Sequence, residues 1–218
     1  MDKKNIIKHL NKDILWPIKR AQYRCLRKNY SDSGITILSQ NCTGGIVMKS
    51  YNMPFLTPTV NMFIPMPDFV KFCTNLDYYC GLNLILLPQE TQELGYVVAK
   101  LGELTIYGVH FHEFEDFVKT WDRRKARINK DKIFCIFTDR DGFTPELLGE
   151  IEKINHPKVL FSYKHWEGYD FVIKVPKDPK LDCSCSITDF YGITGIHICE
   201  KYYDFPKAFE YMLIDDGL

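Results

Sequence analysis

The run KIFCIFT, residues 132–138, constrains the fold of this chain more than any other stretch. Its five central residues are all apolar, so a strand here must be covered on both faces, as in a parallel sheet between helices. The sequence TPELLGEIEKI (144–154) comes next and predicts a helix with Thr144 as its cap and Pro145 at its first position. KVLFSY (158–163) then predicts a second apolar strand. Strands that alternate with helices in this way predict an α/β fold.

The first half of the chain has a less regular pattern. A β-branched run predicts a strand over 35–41, and alternating residues at 96–111 predict a β-hairpin that turns at Gly102-Glu103. The other predicted elements are helices at 4–28, 67–81, 113–129 and 205–214, an extended segment at 57–65, a short buried strand at 83–88 and one more strand at 169–176. Together they predict a mixed but largely parallel sheet flanked by helices.

The 218 residues suffice for one large α/β domain or for two small lobes. We therefore expect a basic helical segment at 1–30 and a single α/β domain at 31–218, with any boundary between two tightly packed lobes near residue 130. The 28 basic and 28 acidic residues cancel. The protein then has no net positive charge that would attract nucleic acid.

Cysteine usage and hydrophobicity bear on where the protein works. The chain has eight cysteines, several of them inside apolar runs such as IFCIF, which is typical of reduced thiols in a cytoplasmic protein. No apolar stretch approaches the roughly 18–20 residues that span a bilayer.

Residues 1–28 carry nine basic and two acidic side chains. Ile7, Leu10, Ile14 and Ile18 would form one apolar face of a helix. This face either packs on the domain itself or lies on the anionic inner leaflet of a membrane. Packing on the domain is favoured, because a proline interrupts the helix.

The turn NCTGG comes directly after the first predicted strand and offers three interpretations. Cys42 would be a nucleophile if a base were close, and His110 and His112 at the end of the hairpin are the candidates. Alternatively, a phosphate or sugar approaches the backbone at Gly44 and Gly45. The third interpretation is a tight turn with a purely structural role.

The two histidines also suggest a metal site. His110 and His112 alternate along the predicted strand, so both would face one side, and Glu113 and Glu115 are close in sequence. Histidines that are merely exposed or hydrogen-bonded are the commoner outcome.

The turn TDRDG lies between a predicted buried strand and a predicted helix, where ligands bind in open α/β sheets. Asp139 and Asp141 would project to one side of an extended tip. With Arg140 between them, the two carboxylates suit Mg²⁺ or Mn²⁺ holding a diphosphate. The D-x-D spacing matches that of many nucleotide-sugar glycosyltransferases. An aspartate-rich turn that caps the next helix is the alternative.

The sequence WDRRKARIN places three arginines on one arc of a predicted helix. Arg123, Arg124 and Arg127 lie away from the stripe that contains Trp121. Their guanidinium groups suit phosphate or carboxylate. A solvated helix face, favoured at a helix C-terminus by the dipole, is the alternative.

Taken together, these motifs resemble a family of bacterial proteins of unknown function that are often labelled exopolysaccharide or capsule biosynthesis proteins. The matching pieces are Asn41-Cys42-x-Gly44-Gly45, Thr57-Pro58-Thr59, DFVKF (68–72), Tyr78-Tyr79, WDRRKARIN and TDRDG. They occur in order over about residues 20 to 205. Thr57 stands where the family is expected to carry serine, so a hydroxyl is kept. The resemblance implies surface-glycan synthesis but no catalytic mechanism.

The polar side chains in these motifs suit a carbohydrate-phosphate ligand. Asn41, Thr57 and Thr59 would bind sugar hydroxyls, and the arginines would bind phosphate. The sequence therefore predicts a transferase that acts on a nucleotide- or lipid-linked sugar. One alternative is a Cys-dependent acyl transferase or hydrolase that uses Cys42, and the other is a non-catalytic binding or scaffold protein of the same pathway.

Overall fold

A computed structural model describes residues 29–191 and 196–214. The predicted helix at 4–28, with its proposed membrane contact, lies outside the described residues. The helices are α1 Thr43–Ser50, α2 Met66–Thr74, α3 Leu76–Gly81, α4 Pro88–Leu94, α5 Phe114–Lys125, α6 Leu147–Glu152, α7 Ile198–Tyr202 and α8 Phe205–Ile214. The strands are β1 Thr36–Ser39, β2 Ile85–Leu86, β3 Val97–Leu101, β4 Leu104–Gly108, β5 Ile133–Thr138, β6 Lys158–Ser162 and β7 Val172–Lys174.

The strands form two sheets. The first has the order β1-β5-β6-β7, and all of its pairings are parallel. The second has the order β2-β3-β4 and is antiparallel. The predicted mixed α/β fold, with a parallel sheet and flanking helices, is confirmed.

Alternate residues of the parallel strands enter two different cores. Leu38, Cys135 and Leu160 face a core shared with α2, α5 and the antiparallel sheet. Ile37 and Phe134 face a second core beneath α1 and α8. This two-sided burial is what the continuous apolar run at 132–138 predicted. The domain limit at 31 and the lobe boundary near 130 stay predictions.

Several element predictions were wrong in detail. The first strand ends at Ser39, and NCTGG begins a helix instead of forming a turn. The segment 57–65 contains a turn and is not extended throughout. The helix predicted at 67–81 is interrupted at Asn75, whose φ of −126° and ψ of 46° lie outside the helical region.

Two further corrections concern burial and helix ends. The strand predicted at 83–88 is only two residues long, and Ile85 is 64% exposed because it lies on the same outer face of the sheet as Lys100, its partner in register. The helix predicted from Thr144 starts at Leu147, since residues 145–146 form a turn first. The helix predicted at 113–129 covers Phe114–Lys125. The helix at 205–214 has its predicted bounds.

Candidate functional site

The loops after β1 and β5 lie side by side at the carboxyl edge of the parallel sheet. The two strands are hydrogen-bonded neighbours, and the buried Gln40 side chain connects their ends. Its Oε1 accepts a hydrogen bond from the backbone N–H of Thr138 at 2.9 Å. NCTGG and TDRDG therefore sit at one edge of the fold.

Cys42 stands at the start of α1, where it is the N-cap residue. The Asn41 side chain organises this turn: its Oδ1 accepts hydrogen bonds from the Thr43 N–H at 3.1 Å and from the Thr43 hydroxyl at 2.7 Å. The side chain of Asn41 thus caps the helix in place of Cys42. The thiol of Cys42 is left free for another role at the positive end of α1.

The two glycines of NCTGG are explained by close packing. A Cβ on Gly44 would lie 2.8 Å from the Cβ of Ser39, and one on Gly45 would lie 3.3 Å from Cγ1 of Val60. Any larger residue at position 44 would push α1 away from β1. The predicted approach of a ligand is therefore not needed to account for either glycine.

One base lies beside the Cys42 thiol. The Sγ of Cys42 is 4.0 Å from Nε2 of His110. Cys42 is half-buried, and desolvation raises the pKa of its thiol, partly offset by a backbone hydrogen bond. The resting thiol is therefore protonated at neutral pH, and a nucleophilic role requires that a base remove its proton.

His110 and His112 occupy the connection after β4 and do not alternate on a strand. The strand ends at Gly108, and residues 109–110 form a turn. His112 is exposed. Within the described residues, no group of three or more His, Cys, Asp or Glu side chains could hold a metal ion.

Asp139 is 7% exposed, and both of its carboxylate oxygens are used by the protein. Oδ2 accepts hydrogen bonds from the Ser162 hydroxyl and from the Tyr163 N–H, each at 2.8 Å. Oδ1 accepts a hydrogen bond from the Ser184 N–H at 2.7 Å. The carboxylate thus ties the end of β5 to the end of β6 and to the segment 178–185.

Arg140 also binds the segment 178–185. Its Nη1 donates to the carbonyl of Ser184 and lies 3.5 Å from Oδ2 of Asp178. Asp141 is different: it is exposed and has a left-handed φ of 58°. Its carbonyl accepts a hydrogen bond from the N–H of Met66, and its carboxylate accepts none from the described residues. Its carboxyl is nevertheless partly shielded from water, and this desolvation raises its pKa.

Thr57 and Thr59 are buried in the segment that runs along β1. Their hydroxyls are 3.0 Å apart, and Oγ1 of Thr59 accepts a hydrogen bond from the Ser39 N–H at 3.2 Å. The second contact satisfies the backbone N–H of Ser39 at the end of β1. Thr57 and Thr59 therefore have a structural role at the side of the site.

The three arginines form a cluster near the segment that contains Thr57 and Thr59. Arg124 donates to the carbonyl of Val60 at 2.8 Å and lies over the ring of Phe55. Burial, and then repulsion from Arg123 and Arg127, lower the pKa of Arg124. Arg123 and Arg127 are exposed. In the part of the chain that is described, none of the three arginines forms an ion pair.

Gln40, Ser162 and Ser184 shape the site but were not predicted. Gln40 and Ser162 could have been found from the sequence, since each is a polar residue at the end of a predicted apolar strand. No comparable signal marks Ser184, because it comes from an irregular segment far away in sequence. Among the described residues, no helix is long and apolar enough to cross a membrane. Free thiols are present at Cys42, Cys73, Cys80, Cys135, Cys183 and Cys185.

Comparison with known proteins places the chain in a family. An uncharacterised protein of Haemophilus influenzae is 29% identical over 182 residues, which are 83% of this chain and 85% of the relative. The model of a domain of unknown function, DUF1919, matches residues 16–212, which include every candidate site residue described above. The chain therefore belongs to the DUF1919 family.

Proposed function

We propose that the protein is a thiol-dependent acyl transferase or hydrolase in which Cys42 is the nucleophile and His110 the general base. The observation that carries this proposal is the distance of 4.0 Å between the Cys42 thiol and Nε2 of His110. A thiol at a helix N-terminus next to an imidazole is a recurrent setting for cysteine nucleophiles.

The reaction would proceed in two steps, acylation of Cys42 and transfer of the acyl group to the acceptor. His110 accepts the thiol proton as Sγ attacks the carbonyl carbon of an acyl donor, and the proton then passes to the leaving group as the donor bond breaks. The resulting thioester on Cys42 is attacked by a hydroxyl or water, whose proton His110 accepts. The thiol is then released and takes that proton back. The positive end of α1 favours the negative charge on Sγ.

A sugar transferase that uses paired carboxylates has less support. Both oxygens of Asp139 already accept hydrogen bonds from the protein, so a cation would have to compete with three donors. Of the two aspartates at this turn, Asp141 is the one whose carboxylate accepts no hydrogen bond within the described part of the chain. The glycan setting rests on the sequence resemblance, and it makes a sugar hydroxyl the acyl acceptor to try first.

The test is the rate at which iodoacetamide alkylates each of the eight cysteines, followed by peptide mass spectrometry. Near pH 7, we expect Cys42 to react faster than the half-buried Cys80 and Cys183. His110→Ala should slow the alkylation of Cys42 by about 10²-fold, the lower end of general-base effects. Raising the pH should shrink this difference, because hydroxide then deprotonates the thiol.

His112→Ala is the matched control, since it removes a neighbouring exposed imidazole and should leave the rate unchanged. A p-nitrophenyl ester then tests acyl transfer, with the acetyl group expected on the Cys42 peptide. The proposal fails if Cys42 reacts no faster than Cys80, or if the two histidine variants behave alike.

A further inference from the structure

The C-terminal end of α5 carries positive charge that has no acidic counterpart nearby. Arg123, Arg124 and Arg127 lie within one turn of the chain, since the N–H of Arg127 bonds to the carbonyl of Arg124 at 3.0 Å. Asp122 is the one acidic residue between positions 121 and 128, and its carboxylate pairs with Lys125 at 2.9 Å. Within the described residues, the three arginines therefore have no carboxylate partner.

The helix dipole accounts for only part of this charge. It places about half a negative charge at the C-terminus of a helix, whereas the three guanidinium groups each carry a full positive charge. A solvated helix face would also leave each arginine free to move away from its neighbours. One of the three is instead held in place by the protein.

That fixed residue is Arg124, which is half-buried. Its Nη1 donates to the carbonyl of Val60 at 2.8 Å, and its Cζ lies 5.9 Å from the centre of the Phe55 ring. Burial, and then repulsion from Arg123 and Arg127, lower its pKa. The charges that act on it most strongly are thus both positive, in a setting where water screens them less than in bulk solution.

The fixed guanidinium still has hydrogen bonds to give. Nη1 is the one nitrogen of Arg124 that has a partner in the described part of the chain, and a guanidinium has five N–H groups. Because the group is anchored, it loses little side-chain freedom when a ligand binds. Arg123 and Arg127 are exposed, so a ligand reaches the cluster from solvent without any movement of the protein.

We propose that Arg123, Arg124 and Arg127 bind the diphosphate group of a small molecule. Guanidinium forks match the oxygen atoms of phosphate in geometry. A single phosphate carries a charge of only about −1.5 to −2, so a diphosphate matches three cations better. Val60, which holds Arg124, also packs against Gly45 in the first turn of α1. The site therefore lies beside the helix that begins at Cys42, but it goes beyond the thiol chemistry and does not depend on it.

Inorganic pyrophosphate is the probe, titrated by calorimetry in the absence of divalent cations. We expect one pyrophosphate to bind per chain, and inorganic phosphate to bind about tenfold more weakly or worse, since it bonds to fewer guanidinium groups. Citrate supplies a similar charge on carboxylates. The proposal is overturned if pyrophosphate does not bind, or if phosphate or citrate binds as tightly.

Three variants locate the site. Arg127→Gln removes an exposed guanidinium, so the fold should be unaffected, and Arg124→Lys keeps the charge but loses the fork. We expect each to raise the Kd for pyrophosphate about tenfold. Lys125→Gln is the matched control, because it removes one positive charge from the same turn, but from a side chain that is already paired with Asp122. If it weakens binding as much as Arg127→Gln does, only net charge matters and the site is refuted.

A nucleoside diphosphate and an isoprenyl diphosphate then distinguish a soluble source of the group from a lipid-linked one. The source is the compound that binds more tightly than pyrophosphate, and its binding should be weakened by Arg127→Gln. An unchanged affinity in that variant counts against the site.

This proposal and the thiol chemistry can fail separately. If pyrophosphate binds in an arginine-dependent way while Cys42 shows no enhanced reactivity, the diphosphate site stands alone. If Cys42 reacts rapidly in a His110-dependent way but pyrophosphate does not bind, the thiol chemistry stands and the diphosphate site is ruled out.

Discussion

The segments NCTGG and TDRDG occupy equivalent places in the fold, yet their side chains are used in opposite ways. Each comes after a strand of the parallel sheet, and those strands are neighbours. In TDRDG, Asp139 receives three hydrogen bonds from two other parts of the chain. In NCTGG, the Cys42 thiol has the His110 ring beside it at 4.0 Å, and Asn41 performs the capping.

The difference teaches that position at a strand end does not decide function. The deciding factor is whether the protein already satisfies the polar group. The carboxylate of Asp139, which already accepts three hydrogen bonds, connects elements and stabilises the fold. The thiol of Cys42 remains available for chemistry, because Asn41 caps the helix. Asp139 and Cys42 can therefore be told apart by what their removal does to stability.

Asp139→Asn gives the largest expected effect. Exchanging the carboxylate for an amide weakens or breaks at least two charge-assisted hydrogen bonds, each worth about 1.5 kcal/mol or more. We expect the free energy of unfolding to fall by roughly 3 kcal/mol, measured by urea denaturation.

Cys42→Ala is the counterpart in the other turn. It removes a half-buried thiol whose contact with the exposed His110 ring is long, at 4.0 Å, so its cost should stay below about 1 kcal/mol. Equal costs for the two variants would show that the contrast between the turns is mistaken. A stable Asp139→Asn variant that loses a Mg²⁺-dependent response to nucleotide sugars would restore the sugar-transferase hypothesis.

Gly44→Ala should have the next largest effect. The new Cβ would meet the Cβ of Ser39 at 2.8 Å, which cannot be relieved by rotating a side chain. Overpacking of this kind costs about 1–3 kcal/mol. Gly149→Ala in α6 is the control: its Cβ meets nothing within 4 Å, and we expect a gain of about 0.5–1 kcal/mol from helix propensity.

A double-mutant cycle sharpens this test. Ser39→Gly removes the opposing Cβ, so Gly44→Ala should cost less in that background than in the wild type. Additive costs would mean that Gly44 is required for another reason, such as the approach of a ligand to its backbone.

The fold could be predicted from the sequence where local pattern and burial agree. The apolar run at 132–138 indicated a strand covered on both faces, and the alternating residues at 96–111 indicated the hairpin. The prediction failed at NCTGG because asparagine and two glycines usually mark a turn. Here Asn41 caps a helix, and Gly44 is required by contact with a strand, which no local pattern reveals.

The candidate site could be predicted only as a set of residue types. Cys42, His110 and Asp139 were identified from the sequence, but their partners come from distant parts of the chain. The N–H of Ser184, which saturates Asp139, is 45 residues away, and His110 is 68 residues from Cys42. Tertiary packing therefore decides which of these groups is free.

Asp141→Asn should have the smallest effect, and its sign tests the role of TDRDG. Desolvation raises the pKa of Asp141, so the folded state binds this proton more tightly than the unfolded state. Its contribution to stability is then lost as the pH rises from the unfolded value, about 3.9, through the raised folded value.

Asn cannot ionise and also tolerates the left-handed φ of 58°. The variant should thus have a slightly higher Tm than the wild type at neutral pH, and the difference should vanish below about pH 3. A lower Tm at neutral pH would mean that attraction to a cation, either the neighbouring Arg140 or a metal ion at this turn, outweighs the desolvation of the ionised carboxylate.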